Sequence, residues 1–199
     1  TLVLMDGIPV SDPSQINNEF DLNLLLVNDV ERIESHLEEA GQVILSTAAL
    51  SAQIAEVAEA AITSLKAGGT IFWCGNGGSA ADSQHLAAEL IGRYKHERKA
   101  ISSIALTTDT SALTALSNDF GFEFVFSRQL EGLARPGDVL VALTTSGSSE
   151  SIIKAVEKAK EMGVTSVILT STKYSGNHGD FVLKVPSKKT ELIQHAHTA

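Results

Sequence analysis

The stretch Thr70-Ile71-Phe72-Trp73-Cys74-Gly75-Asn76-Gly77-Gly78-Ser79 passes from an apolar run straight into glycines, and an alanine-rich segment, Ala80 to Glu89, follows. An apolar run, a glycine turn and a helix-forming segment in that order predict a strand-to-helix connection. Glycine serves where a backbone must turn with positive φ or come close to a ligand. A helix start offers free N–H groups and partial positive charge, which suit an anion. His85 and Glu89 are four residues apart in the same segment and so share a helix face. The spacing predicts an anion cradle with a metal-binding or acid–base pair a few ångströms downstream.

The flanking sequence repeats the alternation. Leu24, Val27, Val30, Ile33 and Leu37 recur at helical spacing and predict a helix over 21–40, ended by Gly41. Ile54, Val57, Ala58, Ala61, Ile62 and Leu65 predict a second over 46–66, stopped at Gly68-Gly69. Beyond the glycine turn, apolar runs predict strands over 102–106, 139–143, 164–169 and 181–185. Between them lie predicted helices over 110–116, 122–133 and from Glu150 to about Gly163. Asn118-Asp119-Phe120-Gly121 reads as a loop, Lys95 to Lys99 as a charged surface turn, and a last helix starts at Thr190. The fold class is therefore α/β: a three-layer αβα sandwich with a five-stranded parallel sheet, preceded by N-terminal helices. Residues 1–20, with Asp6-Gly7, Pro9 and Asp12-Pro13, read as an irregular arm, and 21–199 as a single domain.

A second strand-to-helix turn, Thr144-Thr145-Ser146-Gly147-Ser148-Ser149, carries five hydroxyls and ends in a plausible N-cap, Ser149. Hydroxyls and helix-start N–H groups bind phosphate without a lysine. Each loop alone is an ordinary solvated turn. In open α/β sheets, however, both lie beyond the carboxyl ends of strands, on one rim. Together they point to a small phosphorylated ligand. The glycine turn lacks both the dinucleotide fingerprint and the Gly-Lys-Ser/Thr ending of a nucleotide loop. His85 with Glu89 would by itself be a surface ion pair; beside an anion cradle it becomes a candidate for metal binding or proton transfer.

Composition narrows the classes. A net charge of −9 argues against a nucleic-acid partner. One cysteine, Cys74, excludes an intrachain disulfide and fits a reducing, cytoplasmic compartment. No stretch reads as a membrane span or a signal peptide, so no membrane partner is expected.

The motifs then carry a resemblance. Cys74 to Leu90, Gly92-Arg93-Tyr94, Thr107-Thr108-Asp109, Asn118 to Phe122, Phe126 to Gln129, Thr144 to Gly147 and Val185-Pro186-Ser187 closely resemble the phosphoheptose isomerases of the sugar-isomerase (SIS) domain superfamily. The resemblance implies conversion of sedoheptulose 7-phosphate to D-glycero-D-manno-heptose 7-phosphate, a zinc cofactor, and a homotetramer with active sites at subunit interfaces. It implies substrate contacts from Asn76, Gly77, Gly78, Ser79, Glu89, Arg93, Asn118, Asp119, Gln194 and the phosphate loop Thr144, Thr145, Ser146 and Ser149. His85, Glu89 and Gln194 match metal positions, and Glu89 also matches the catalytic base. Three departures stand out. Thr144 and Leu192 replace the more usual serine and arginine. The 171–180 loop looks shortened. The family's further histidine, two helical turns past Gln194, would fall beyond Ala199, so the last helix is expected to be truncated; His197 aligns elsewhere. A non-catalytic SIS-domain regulator, such as the replication-initiation adaptors of this fold, is the alternative, but those lose the carboxylate matched by Glu89.

Overall fold

The computed structural model describes residues 22–176 and 178–199 and the short strands β1 (Leu4–Met5) and β2 (Ile8–Pro9), with side chains from Val30 onward. The chain divides into two units, Thr1–Gly41 and Gln42–Ala199. In the first, β1 and β2 pair antiparallel. The rest of the expected arm lies outside the described residues.

Helix α1 spans Leu22–Ser46, a 3-10 turn Thr47–Leu50 follows, and α2 runs over Ser51–Lys66. The expected stop at Gly41 is not a stop. A helical glycine costs only about 1 kcal/mol relative to alanine, and flanking residues of good helix propensity outweigh it. The unbroken run Val30–Lys66 is consequently long and apolar enough, by length and composition, to cross a membrane. This corrects the sequence expectation that no stretch is. Within that run, Val57, Ala61 and Leu65 pack against the sheet core, which is how an amphipathic helix uses its apolar stripe.

The second unit holds β3 (Ile71–Gly75), α3 (Gly78–Ile91), β4 (Ser103–Ala105), α4 (Thr110–Phe120), a 3-10 turn Phe122–Phe124, α5 (Val125–Leu133), β5 (Val139–Leu143), α6 (Glu150–Glu161), β6 (Thr165–Ser171), β7 (Phe181–Val185) and α7 (Thr190–Thr198). Asn118 and Asp119 thus lie in the last turn of α4, not in the expected loop. That helix is capped by Asp109, whose side chain accepts from Ala112 N at 2.9 Å, and its apolar Leu113 and Leu116 carry it onto the core.

The five strands are parallel, in the order β4-β3-β5-β6-β7. Alternating strand side chains face opposite layers. Phe72, Cys74, Leu140, Ala142 and Ile168 meet Val125, Phe126 and Leu130 of α5 and Ile152, Val156 and Ala159 of α6. Ile71, Val139, Val141, Leu143 and Val167 face Leu65 of α2 and Leu86 and Leu90 of α3. The strand order reverses between β3 and β5, and in such sheets ligands bind beyond the carboxyl ends at that point. Gly75 pairs with Leu143, so the glycine turn and the hydroxyl loop leave the sheet side by side.

The opposite rim is fixed by buried Asp138. Its carboxylate accepts Thr70 N at 2.8 Å and Arg135 N at 2.7 Å, joining the starts of β3 and β5. Bonds to a charged acceptor each contribute about 1.5–3 kcal/mol. Asp138→Ala is expected to destabilise by roughly 2–4 kcal/mol, lowering Tm by about 5–15 °C in a thermal melt. An unchanged melt would show that the carboxylate does not tie the strands.

Candidate functional site

The two loops at the switch point are joined by a side-chain bond: Asn76 Nδ2 donates to Ser151 Oγ at 3.0 Å. Around this link lies a pocket of about 510 Å³ lined by Asn76, Phe122, Glu123, Ser149, Glu150 and Ser151. Ser149 occupies the N-cap position of α6 but makes no capping bond, so its hydroxyl is left to the pocket. The first N–H groups of any helix lack partners within it, and those of α6 open beside Ser149. The rest of the hydroxyl loop is braced. Buried Thr144 accepts Gly147 N on Oγ1 at 3.1 Å, and Ser171 Oγ donates to Thr145 O at 2.8 Å. Gly147 has φ +72, and a Cβ there would run into the Tyr174 ring. Ser146 is exposed, its Oγ accepting from Ser148 N and Ser148 Oγ. Of the four expected phosphate-loop hydroxyls, then, Thr144 shapes the loop, Ser149 lines the pocket, and Thr145 and Ser146 lie between.

On the glycine side, Gly77 is exposed, Ser79 is buried, and Ser83 Oγ donates to Ser79 O at 2.8 Å. Gln194, from α7, packs on Gly78 so closely that a Cβ there would stand 2.8 Å from its Cδ. The expected grouping of Gln194 with this turn is therefore found.

His85 and Glu89 also pair, Nε2 to Oε1 at 3.3 Å on an exposed face of α3. They are not a few ångströms from the cradle, as the sequence suggested. Glu89 lies eleven residues past Gly78, and at 1.5 Å per residue that is about 16 Å of helix. Neither residue lines the pocket. Arg93, just past the helix, is exposed and bonds Glu97 at 3.0 Å. Asn118 and Asp119 are exposed and bond each other at 2.8 Å; they too stand outside the pocket lining. One chain thus gathers Asn76 with Ser149, and Gln194 with Gly78, while the His85–Glu89 pair sits farther along α3.

Glu123 and Ser151 carried no sequence signal, and Phe122 and Glu150 were expected only as parts of a motif and a helix start; all four enter the pocket through tertiary approach. Asp82 had a signal that went unused: it precedes His85 by three residues, hence the same face. Its Oδ2 is buried without a hydrogen-bond partner. Burial pushes the Asp82 carboxyl above its ordinary value, against the opposing pull of the His85 and His195 imidazoles. His197 turns inward, with Nε2 3.3 Å from the Thr170 carbonyl, and burial pulls it below the usual imidazole range. Cys74 is fully buried and burial pushes its thiol far up, which makes it inert packing.

The His85–Glu89 pair has the spacing of two zinc ligands. Two ligands about 2.0–2.1 Å from a tetrahedral zinc stand about 3.4 Å apart, and the pair's 3.3 Å matches that edge. Imidazole nitrogen and carboxylate oxygen are both ordinary zinc donors. Among the described residues no group of three or more His, Cys, Asp or Glu gathers for a metal. The pair therefore fits two corners of such a site.

Comparison with known proteins identifies the family. Residues 33–171 match the SIS domain family. The chain is 54% identical over 155 residues to a phosphoheptose isomerase of Akkermansia muciniphila, covering 76% of this chain and 82% of that protein. A solved phosphoheptose isomerase from Neisseria gonorrhoeae superposes with a TM-score of 0.77 at 39% identity, covering 84% of this chain and 91% of that one. One from Francisella tularensis gives 0.80 at 34%, covering 85% and 92%. With the five-stranded order, the switch-point pocket and the match over most of its length, the chain belongs to the SIS-domain family and, within it, to the phosphoheptose isomerases.

Proposed function

We propose that the chain interconverts sedoheptulose 7-phosphate and D-glycero-D-manno-heptose 7-phosphate through an enediol, the entry step to nucleotide-activated heptose for the bacterial envelope. The supporting observation is the switch-point pocket, where Asn76 and the start of α6 meet around the uncapped Ser149. The phosphate binds at Ser149, the hydroxyl loop and the free N–H groups of α6. Glu89 takes a proton from carbon 1 of the ketose and returns one to carbon 2, while the hydroxyl proton passes from oxygen 1 to oxygen 2. His85 and Glu89 would supply two ligands to a zinc ion, and Gln194, which in its own chain packs on Gly78, would reach that ion from another copy. Such an ion supplies a Lewis acid for the two sugar oxygens. Retention of Glu89 favours the enzyme over a sugar-phosphate-binding regulator.

The 16 Å between Glu89 and its own glycine turn supports a site built across two copies, within a homotetramer. A partner's Glu89 can then meet this chain's phosphate loop. The buried single thiol supports the reading of a cytoplasmic protein.

Ser149→Asp separates these claims. Aspartate is a good N-cap, so folding is retained. Its charge opposes a bound phosphate, and like charges brought together cost several kcal/mol. KM is expected to rise roughly 100-fold or more. Mixed with a Glu89→Gln chain, itself inactive, it is expected to regain activity, because hybrid assemblies contain some sites with both groups intact. An unchanged KM would remove the phosphate from this loop. No recovery on mixing would place both groups of a site in one chain.

A further inference from the structure

Glu89 stands in the last turn of α3, where helix carbonyls have no partners of their own. A catalytic carboxylate on such a turn is only as well placed as the turn itself. The Ala88 carbonyl accepts Gly92 N at 2.8 Å. The next two carbonyls are taken by one guanidinium. Arg98 Nη2 donates to Glu89 O at 2.7 Å, and Nη1 donates to Leu90 O at 2.7 Å. Nη1 also reaches Lys99 O at 3.1 Å, and Ile101 N donates to Leu90 O at 3.0 Å. The chain leaves the helix at Gly92, runs through exposed residues from Arg93 to Glu97, and turns back so that half-buried Arg98 grips the end it has just left. The Arg93 side chain, in contrast, is exposed and bonds across the surface to Glu97.

The chemistry of the grip is specific. Charge-assisted bonds are shorter and about twice as strong as neutral ones. The planar guanidinium presents donors in a fixed fork, which one ammonium cannot reproduce. A cation at a helix C-terminus also complements its dipole.

We propose that Arg98 is a positioning residue for the isomerisation: by holding the carbonyls of Glu89 and Leu90, it fixes the turn that aims the Glu89 carboxylate at the sugar carbon. The inference rests on the reading of Glu89 as the base. A misplacement of about 1 Å can cost roughly 100-fold in rate, and this loss falls on turnover because the Arg98 guanidinium is engaged by backbone carbonyls and lines no part of the pocket.

The test measures kcat and KM for Arg98→Met, Arg98→Lys and Glu89→Gln, with kcat expressed per folded chain from circular dichroism. Arg98→Met is expected to lose roughly 10- to 100-fold in kcat with KM within about threefold of wild type. Arg98→Lys is expected to fall between the two, since one ammonium can hold one carbonyl; it decides the question if the methionine variant does not fold. A kcat per folded chain within about twofold of wild type, or a KM that rises as much as kcat falls, would overturn the proposal. Glu89→Gln keeps the two claims apart. If it is dead while Arg98→Met is normal, Arg98 does not position the base. If it is active, the base assignment itself fails.

Discussion

Glu89→Gln is expected to lower kcat by roughly 10²- to 10⁴-fold, about 3–5 kcal/mol of barrier, while the fold and phosphate binding persist. The amide keeps the size and the ability to accept from His85 Nε2, now at 3.3 Å from the carboxylate. It cannot take a proton from carbon. Because the phosphate is held by Ser149 and the start of α6 and the amide keeps the size of the carboxylate, KM should stay close to that of the parent. Steady-state kinetics with sedoheptulose 7-phosphate, beside a thermal melt, checks this. Full activity in the glutamine variant would assign the base elsewhere.

Gly75→Ala is the second large effect, and it acts on the cradle. Gly75 ends β3, and a Cβ there would stand 2.5 Å from Ser79 O and 2.6 Å from Ser79 C. Those are backbone atoms of the first turn of α3, so no side-chain rotation relieves the collision. The helix start must move, and with it Asn76 and its bond to Ser151. Overpacking of this kind costs roughly 1–3 kcal/mol, or about 2–4 °C in Tm for each kcal/mol. A shift of about 1 Å at the site should lower kcat/KM by about 100-fold. Gly132→Ala, in α5 with open space around its would-be Cβ, is the control and should change neither. Equal behaviour of the two variants would show that the tight β3–α3 turn does not set the site.

The sheet was the most legible part of the chain, for a physical reason. A parallel strand buried on both faces reads as an unbroken apolar run, and Val139–Leu143 is buried throughout. The hydroxyl loop was legible because Ser149 and Glu150 mark a helix start, and α6 does begin at Glu150. Gly41 misled because a breaker's cost is small beside the propensity of a long helix. Asn118 and Asp119 misled because turn-forming residues also end helices, and α4 runs on to Phe120.

The site was legible in its parts and not in its assembly. The motifs named Asn76, Ser149 and Gln194, but the bond from Asn76 to Ser151 spans 75 residues and leaves no local trace. The pairing of His85 with Glu89 followed from helical period. Its distance from the cradle also follows from helical rise, yet the expectation of a few ångströms overlooked it. That separation is why one chain presents the Ser149 pocket and the His85–Glu89 pair apart. Arg98 shows the converse. In sequence it belongs to a charged surface turn; in space it closes the helix that carries Glu89.

The most direct measurement follows sedoheptulose 7-phosphate by NMR with the purified chain in deuterated water. The expected result is formation of D-glycero-D-manno-heptose 7-phosphate carrying deuterium at carbon 2, since an enediol reprotonated by a base that exchanges with solvent collects it there. Sugar recovered unchanged, while still bound competitively with inorganic phosphate, would contradict an isomerase and leave a sugar-phosphate-binding protein in its place.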